Sequence, residues 1–308
     1  MRTRKLVSLF LSLVMLFSLS AIAFAEEDTS LTVTDMLGRE VHLTAPAERI
    51  VVLEPSDGEI LDALGASDRI IGRGAYCDLP SIADVTVVQS GYDTNVEEII
   101  ALNPDLVIMN TMNQKKEQIE QIEAAGIPVL SSASTDIEGV YTNIRCIGAC
   151  LGKEAEAEAV ITAMQEVFAA VGENKEAFAG KTVYFEVSPL EWGLWTAGSD
   201  TFMDEAASLI GLTNIFGDLS GWAEVSEEQV IARNPDYIVT ITMYYGEGPT
   251  PEEEILSRAG WEGITAVKNA AILNLTGNEL SHPSQRLADG AKMLYDFVYG
   301  AEAVQQAA

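Results

Sequence analysis

Two acidic residues recur at matching places in a repeated segment. VEEIIALNPDLVI (96–108) aligns with EEQVIARNPDYIV (227–239), so Glu97 and Glu228 each stand seven residues before the proline of an Asn-Pro-Asp triplet, Pro104 and Pro235. Both fall in the first turn of an expected helix, where the positive end of the helix dipole stabilises a carboxylate. A carboxylate can also accept both N–H groups of one guanidinium, and an equivalent pair suits a partner with twofold pseudosymmetry. Glu98 and Glu227 adjoin them and could share or take such a contact. Stabilisation of the helix start alone is the competing role.

A second constellation is aromatic. Tyr76 in YCDLP, Tyr92 in SGYDTN, Trp192 and Trp195 in LEWGLW and Trp222 in SGWAEV all fall in loops between expected core elements. An aromatic ring buries about 150 to 250 Å² and keeps a polar edge, so rings gathered in facing loops suit a flat, largely apolar guest. Trp261, in AGWEGITAV, reads instead as core beneath a helix start. The polar candidates are Asn278 in TGNELSH, Asn110 and Asn113 around NTMNQ, and Glu54 and Ser56 after the first strand, at the usual mouth of an α/β crevice. Arg73 is the one cation near that lip, suited equally to a ligand or to a solvated loop. His282 could ligate iron or cobalt, but its place before Pro283 favours a loop or cap role.

Other chemistries are excluded. The 308 residues carry 18 Lys and Arg against 47 Asp and Glu, a net charge of −29, with no basic stripe to hold a phosphate backbone. No G-x-S-x-G elbow, Walker lysine loop or H-E-x-x-H occurs, so an enzyme is not expected. The two histidines, His42 and His282, lie far apart in sequence, which argues against a histidine-rich resident metal site. Neither a cofactor nor a resident metal is expected.

The elements that would position these residues are those of a parallel α/β protein. After a short hairpin from Leu31, strands at 50–53, 69–72, 106–109 and 127–130 alternate with helices at 57–64, 96–102 and 115–125. The order repeats after residue 180, with strands at 181–188, 237–241 and 271–275 and helices at 201–209 and 226–232. Two similar Rossmann-like lobes, 31–150 and 180–308, are therefore expected, joined by a linking segment at 151–179. Lys153 to Phe178 reads as one long helix, rich in Ala and Glu and free of Pro, spanning about 39 Å, with two helices broken at Gly172 as the alternative. A rigid strut of that kind predicts a modest twist, not a large closure, on ligand binding.

Residues 1–25 read as a secretory signal peptide: Arg2, Arg4 and Lys5 precede an apolar run that ends in Ala23-Phe24-Ala25. Its removal would take the net charge from −29 by three further units to −32. No cysteine stands at the cleavage point, so a free periplasmic protein is expected, with a secreted or surface-held one as the alternative. Cys77, Cys146 and Cys150 read as buried free thiols.

These features together resemble the substrate-binding proteins of bacterial ABC importers for cobalamin, haem and ferric siderophores. The resemblance spans about residues 31 to 300 and rests on the two-lobed plan, the linking helix, the IVVLEPS opening and the paired NPD segments. YCDLP (76–80) and GWAEVSEEQVIARNPD (221–236) are similar to segments of the cobalamin-binding branch. The resemblance implies capture of a bulky metal chelate between the lobes and its delivery, by a monomer, to a permease dimer with a cytoplasmic ATPase. It places the docking acids at Glu97 and Glu228, and the expected ligand contacts are Tyr76, Tyr92, Trp192, Trp195, Trp222 and Asn278. Cobalamin or a related corrinoid is the expected cargo, with a ferric siderophore or haem as the alternative. Tyr76, Tyr92, Tyr244, Tyr245 or His282 could serve haem as an axial ligand. Asn278 departs from the acidic residue that the branch often has there, and Asn110 and Asn113 stand where it may offer an aromatic.

Overall fold

The computed structural model describes residues 29–242 and 248–307. The expected leader and Tyr244 and Tyr245 lie outside the described residues.

The hairpin forms as β1 (Leu31–Thr34) against β2 (Glu40–Leu43). The chain then lays down β3 (Ile50–Val52), α1 (Pro55–Ala63), β4 (Ile70–Gly74), β5 (Thr86–Val88), α2 (Val96–Ala101), β6 (Leu106–Asn110), α3 (Lys116–Ala124) and β7 (Val129–Ser132). The five strands β3 to β7 make one parallel sheet in the order β5-β4-β3-β6-β7. Its central strands are apolar on both faces because helices cover both. Ile50, Val51, Val52, Leu106, Val107 and Ile108 are fully buried.

Helices α4 (Ile137–Leu151) and α5 (Glu154–Gly172) follow, then β8 (Thr182–Glu186), β9 (Leu194–Ala197), α6 (Phe202–Ile210), β10 (Thr213–Asn214), β11 (Trp222–Val225), α7 (Glu227–Arg233), β12 (Tyr237–Thr240), α8 (Pro251–Ser257), α9 (Thr265–Lys268), β13 (Ile272–Asn274) and α10 (Leu287–Ala307). The second parallel sheet has the order β10-β8-β12-β13, and β9 pairs with β11 as a separate antiparallel ribbon. The fold is thus the expected α/β one, with two parallel sheets among the described residues.

The NPD repeat is explained by what its residues do. Asn103 and Asn234 take left-handed backbone angles (φ 51° and 46°) at the ends of α2 and α7, a conformation that asparagine tolerates better than most side chains. The following prolines cannot continue a helix. Asp105 then accepts the backbone N–H groups of Glu48 and Arg49, and Asp236 accepts that of Thr182 at 2.9 Å. In each lobe the triplet ends one helix and ties the next strand to the entry of the lobe's first strand.

The single helix expected from 153 to 178 is corrected. Helix α5 stops at Gly172 after 19 residues, about 28 Å at 1.5 Å per residue, and a short 3-10 turn covers Lys175–Phe178. Tertiary packing sets the break. Phe178 is drawn into the core edge-on to Tyr295 of α10, with ring centroids 6.1 Å apart, and Asn174 hydrogen-bonds the Tyr295 hydroxyl. The Lys175 carbonyl also lies so close to Gly211 that a Cβ there would sit 2.1 Å from it.

The linkage is stiff even so. One continuous cluster of buried apolar side chains runs from Val33 through α4 and α5 to Val298 of α10. Direct hydrogen bonds join the lobes as well: Phe202 N–H to the Thr135 carbonyl at 2.9 Å, and Ile137 N–H to Glu205 Oε2 at 2.7 Å. Small-angle scattering with and without ligand should therefore show a change in radius of gyration of no more than about 1 Å. A compaction of several ångströms would contradict this linkage.

All three cysteines are buried and unbridged, and burial pushes the Cys77 and Cys150 thiols up to about 12.

Candidate functional site

A cleft of about 440 Å³ opens at the carboxyl ends of the parallel strands, where ligands of α/β proteins commonly sit. The first lobe contributes Glu54, Pro55 and Ser56 after β3, Ala75, Tyr76 and Asp78 after β4, Asn110, Met112 and Asn113 around the end of β6, and Ser134 after β7. The second lobe contributes Phe202 at the head of α6, Trp222 at the start of β11, and Asn278, Ser281, His282 and Pro283 after β13. A side chamber of about 290 Å³ shares Glu54, Pro55, Tyr76, Met112 and Asn113 and adds Tyr92 with Ser90 and Gly91. A larger hollow of about 760 Å³ lies among α4, α5 and α6 and takes nothing from the strand ends. Its position gives it no share in either lobe's crevice, so volume alone does not identify the site.

Of the six expected contacts, the cleft brings together Tyr76, Trp222 and Asn278, and its side chamber adds Tyr92. Tyr76 is 80% exposed, a free ring at the lip. Trp222 is half-buried and braced by Phe202, with ring centroids 5.6 Å apart. Tyr92 is partly engaged, because Lys115 Nζ stands 3.7 Å from its ring centroid. Asn278 has a left-handed φ of 67° and accepts the Ser281 hydroxyl, so it builds its own turn as well as facing the cleft.

Trp192 and Trp195 are not brought to either cavity. Trp192 ends a 3-10 turn and is 76% exposed. Trp195 pairs with Glu224 on the ribbon while Ala197 pairs with Trp222. Alternation puts Trp195 and Trp222 on one ribbon face, with Trp195 displaced by two residues from the cleft edge. Arg73 resolves to its loop role: its guanidinium donates to the carbonyls of Cys77 and Ala83. Sequence reasoning missed Phe202 and Met112, which stand on a helix start and a turn without any periodic signal.

The polar lining is acidic. Glu54 accepts Asn113 Nδ2 at 3.0 Å and the Gln114 amide, and burial raises its carboxyl above the usual range despite those bonds. Beneath it, Asp57 is fully buried between Ser132 and Asn143, and desolvation pushes it up to about 7. Glu54, Asp78, His282 and the Tyr76 phenol are the titratable groups that line the cleft, and no lysine or arginine lines it among the described residues. No group of three or more His, Cys, Asp or Glu side chains forms a metal cluster among the described residues.

The two repeat helices have equivalent caps. Asn95 Oδ1 accepts the Glu98 N–H at the head of α2, and Ser226 Oγ accepts the Gln229 N–H at the head of α7. Glu97 and Glu228 are each the second helical residue of their element, and both are exposed. Their neighbours are engaged internally: Glu98 accepts the Gln89 N–H, and Glu227 accepts Nε1 of the buried Trp261 at 2.9 Å. Hydrogen bonds from its own backbone N–H and the Ser226 hydroxyl hold the Glu228 carboxyl below its usual range, so it is charged at neutral pH.

The periodic signals agree with known proteins. The periplasmic binding protein family matches residues 50–278. An ABC transporter substrate-binding lipoprotein, YvrC of Bacillus subtilis (strain 168), is 30% identical over 274 residues, covering 87% of this chain and 85% of that protein. A cobalamin-binding protein of Halobacterium salinarum (strain ATCC 29341 / DSM 671 / R1) is 29% identical over 281 residues, covering 87% of this chain and 74% of its own. The crystal structure of a possible iron-binding (periplasmic solute-binding) protein from Staphylococcus epidermidis ATCC 12228 superposes with a TM-score of 0.67 at 28% identity, covering 82% of this chain and 99% of that one. Proteins of this kind work with a membrane permease and an ATPase. No helix is long and apolar enough to cross a membrane among the described residues. With the family matched across most of its length, the chain belongs to the periplasmic binding proteins, a family of solute-binding transport proteins and not of enzymes, and is an extracytoplasmic substrate-binding protein of an ABC transporter.

Proposed function

We propose that the cargo is cobalamin or a related corrinoid, held in the cleft between the lobes, and that Glu97 and Glu228 present the loaded protein to a permease dimer. The carrying observation is the chemistry of the cleft wall: Tyr76, Trp222, Phe202 and Met112 supply apolar surface, while Ser, Asn and two carboxylates supply the polar edge. Such a wall suits a large macrocycle rimmed with amide groups, because the rings cover its faces and carboxylates or amides pair with its edge. The same wall repels an anionic ferric chelate, which would call for clustered Lys or Arg. The cobalamin-binding relative from Halobacterium salinarum supports the same reading.

One observation favours a second reading. Tyr76 offers an exposed phenol at the lip, a group that can ligate haem iron, and the similar Staphylococcus structure is described as that of a possible iron-binding protein. The protein acts as a monomer after removal of a leader peptide, free in the periplasm or held at the cell surface.

Titrating tryptophan fluorescence with cyanocobalamin, haemin and an anionic ferric siderophore separates the cases. Saturable quenching by cyanocobalamin, through Trp222, is the expected result. Quenching by haemin alone establishes the second reading, and quenching by the siderophore alone overturns both.

A further inference from the structure

We propose that His282 is an axial ligand to the metal of the bound corrinoid, its imidazole replacing an exchangeable water on cobalt. The inference rests on the corrinoid reading above and names the form of cargo that the cleft prefers.

The geometry begins with Glu59, a buried carboxylate on α1 of the first lobe. It gathers four side chains from the segment that leads into α10. His282 Nδ1 lies 2.9 Å from Oε1, Arg286 donates to the same oxygen at 3.2 Å, the Ser284 hydroxyl donates to Oε2, and Gln285 Nε2 donates to the Glu59 backbone carbonyl at 3.1 Å. An oxygen that receives a guanidinium N–H is an acceptor, so the imidazole carries a hydrogen on Nδ1, and in the neutral ring the lone pair is on Nε2. Nε2 has no hydrogen-bond partner among the described residues, and the ring is 20% exposed in the cleft wall. A carboxylate that fixes one ring nitrogen orients the other, which is the arrangement around metal-binding histidines.

The backbone holds this pose as well. The His282 N–H donates to the Asn278 carbonyl at 3.2 Å, and Pro283 follows. The loop is therefore held by the backbone and by the Nδ1 contact with Glu59, which leaves Nε2 without a structural role. The charged groups around it are Glu54 in the cleft, Glu59 beneath the ring, and Arg286 with its second partner Glu279.

The step is a ligand exchange. Water leaves trivalent cobalt with its own electron pair, the Nε2 lone pair forms the new cobalt–nitrogen bond, and cobalt keeps its oxidation state. Aquocobalamin can undergo this exchange, whereas the carbon-bound cyanide of cyanocobalamin resists it.

The test follows the visible cobalt bands and tryptophan fluorescence while the mature protein is titrated with aquocobalamin and with cyanocobalamin. Both should quench, and aquocobalamin alone should shift its bands toward those it shows with free imidazole. In His282→Gln the band shift should vanish and the preference for the aquo over the cyano form should fall by about tenfold or more. Quenching by aquocobalamin without a band shift in the wild type overturns the axial ligand and leaves the corrinoid reading intact, as does a shift that persists in His282→Gln. Absence of quenching by both forms overturns the corrinoid reading itself. If His282→Gln fails to fold, the wild-type comparison of the two forms still decides.

Discussion

Changing Glu97 and Glu228 together to alanine should abolish uptake of the cargo while the isolated protein still binds it. Both side chains are exposed and lie outside the cleft lining, and neither is tied to a distant segment as Glu98 is to Gln89 and Glu227 to Trp261. A hydrogen bond to a charged group contributes about 1.5 to 3 kcal/mol, so losing both should weaken docking by about a hundredfold or more. Each single variant should fall between. Uptake by vesicles or cells carrying the cognate permease, beside ligand affinity of the purified variant, checks the claim. Wild-type uptake by the double variant would remove the docking role.

The second large effect concerns stability. Asp57 is fully buried, its partners Ser132 and Asn143 are neutral, and the nearby Glu54 disfavours its charge. Its carboxyl is pushed from an ordinary 3.8 up to about 7. A raised carboxyl binds its proton more tightly in the folded state, so its contribution is fully present below about pH 4 and is lost as pH rises through about 7. The loss amounts to roughly 4 kcal/mol at most, because one pKa unit is worth about 1.4 kcal/mol. Asp57→Asn keeps the shape and stays neutral. At pH 8 it should therefore be more stable than wild type by a few kcal/mol in denaturant unfolding, with the gain vanishing toward pH 4. A variant less stable than wild type at pH 8 would contradict this.

What could be read from the sequence was what short segments decide by themselves. The parallel strands, their helices and the NPD turns follow from runs such as Ile50–Val52 and Leu106–Asn110 and from local caps, and they stand within a few residues of expectation. Ala and Glu continue past Gly172 and favour one helix to Phe178 over the break at Gly172, and the break is decided by Phe178 meeting Tyr295 of α10. Trp192 and Trp195 looked like loop residues equivalent to Trp222. Trp195 is placed by the pairing of β9 with β11, a contact between distant segments that no window of residues reveals, and Trp192 by the 3-10 turn that leads into β9. The same holds for His282 and Glu59, which are 223 residues apart in sequence and 2.9 Å apart in the fold.

Equilibrium dialysis of cyanocobalamin against the wild type and a Tyr76→Ala/Trp222→Ala variant tests the cleft most directly. Burying a large apolar side chain against a ligand contributes about 1.5 to 3 kcal/mol, so removing both rings should weaken binding by about a hundredfold or more from a saturable wild-type affinity. Equal binding by both proteins, or none by the wild type, would contradict capture of a corrinoid between these two lobes.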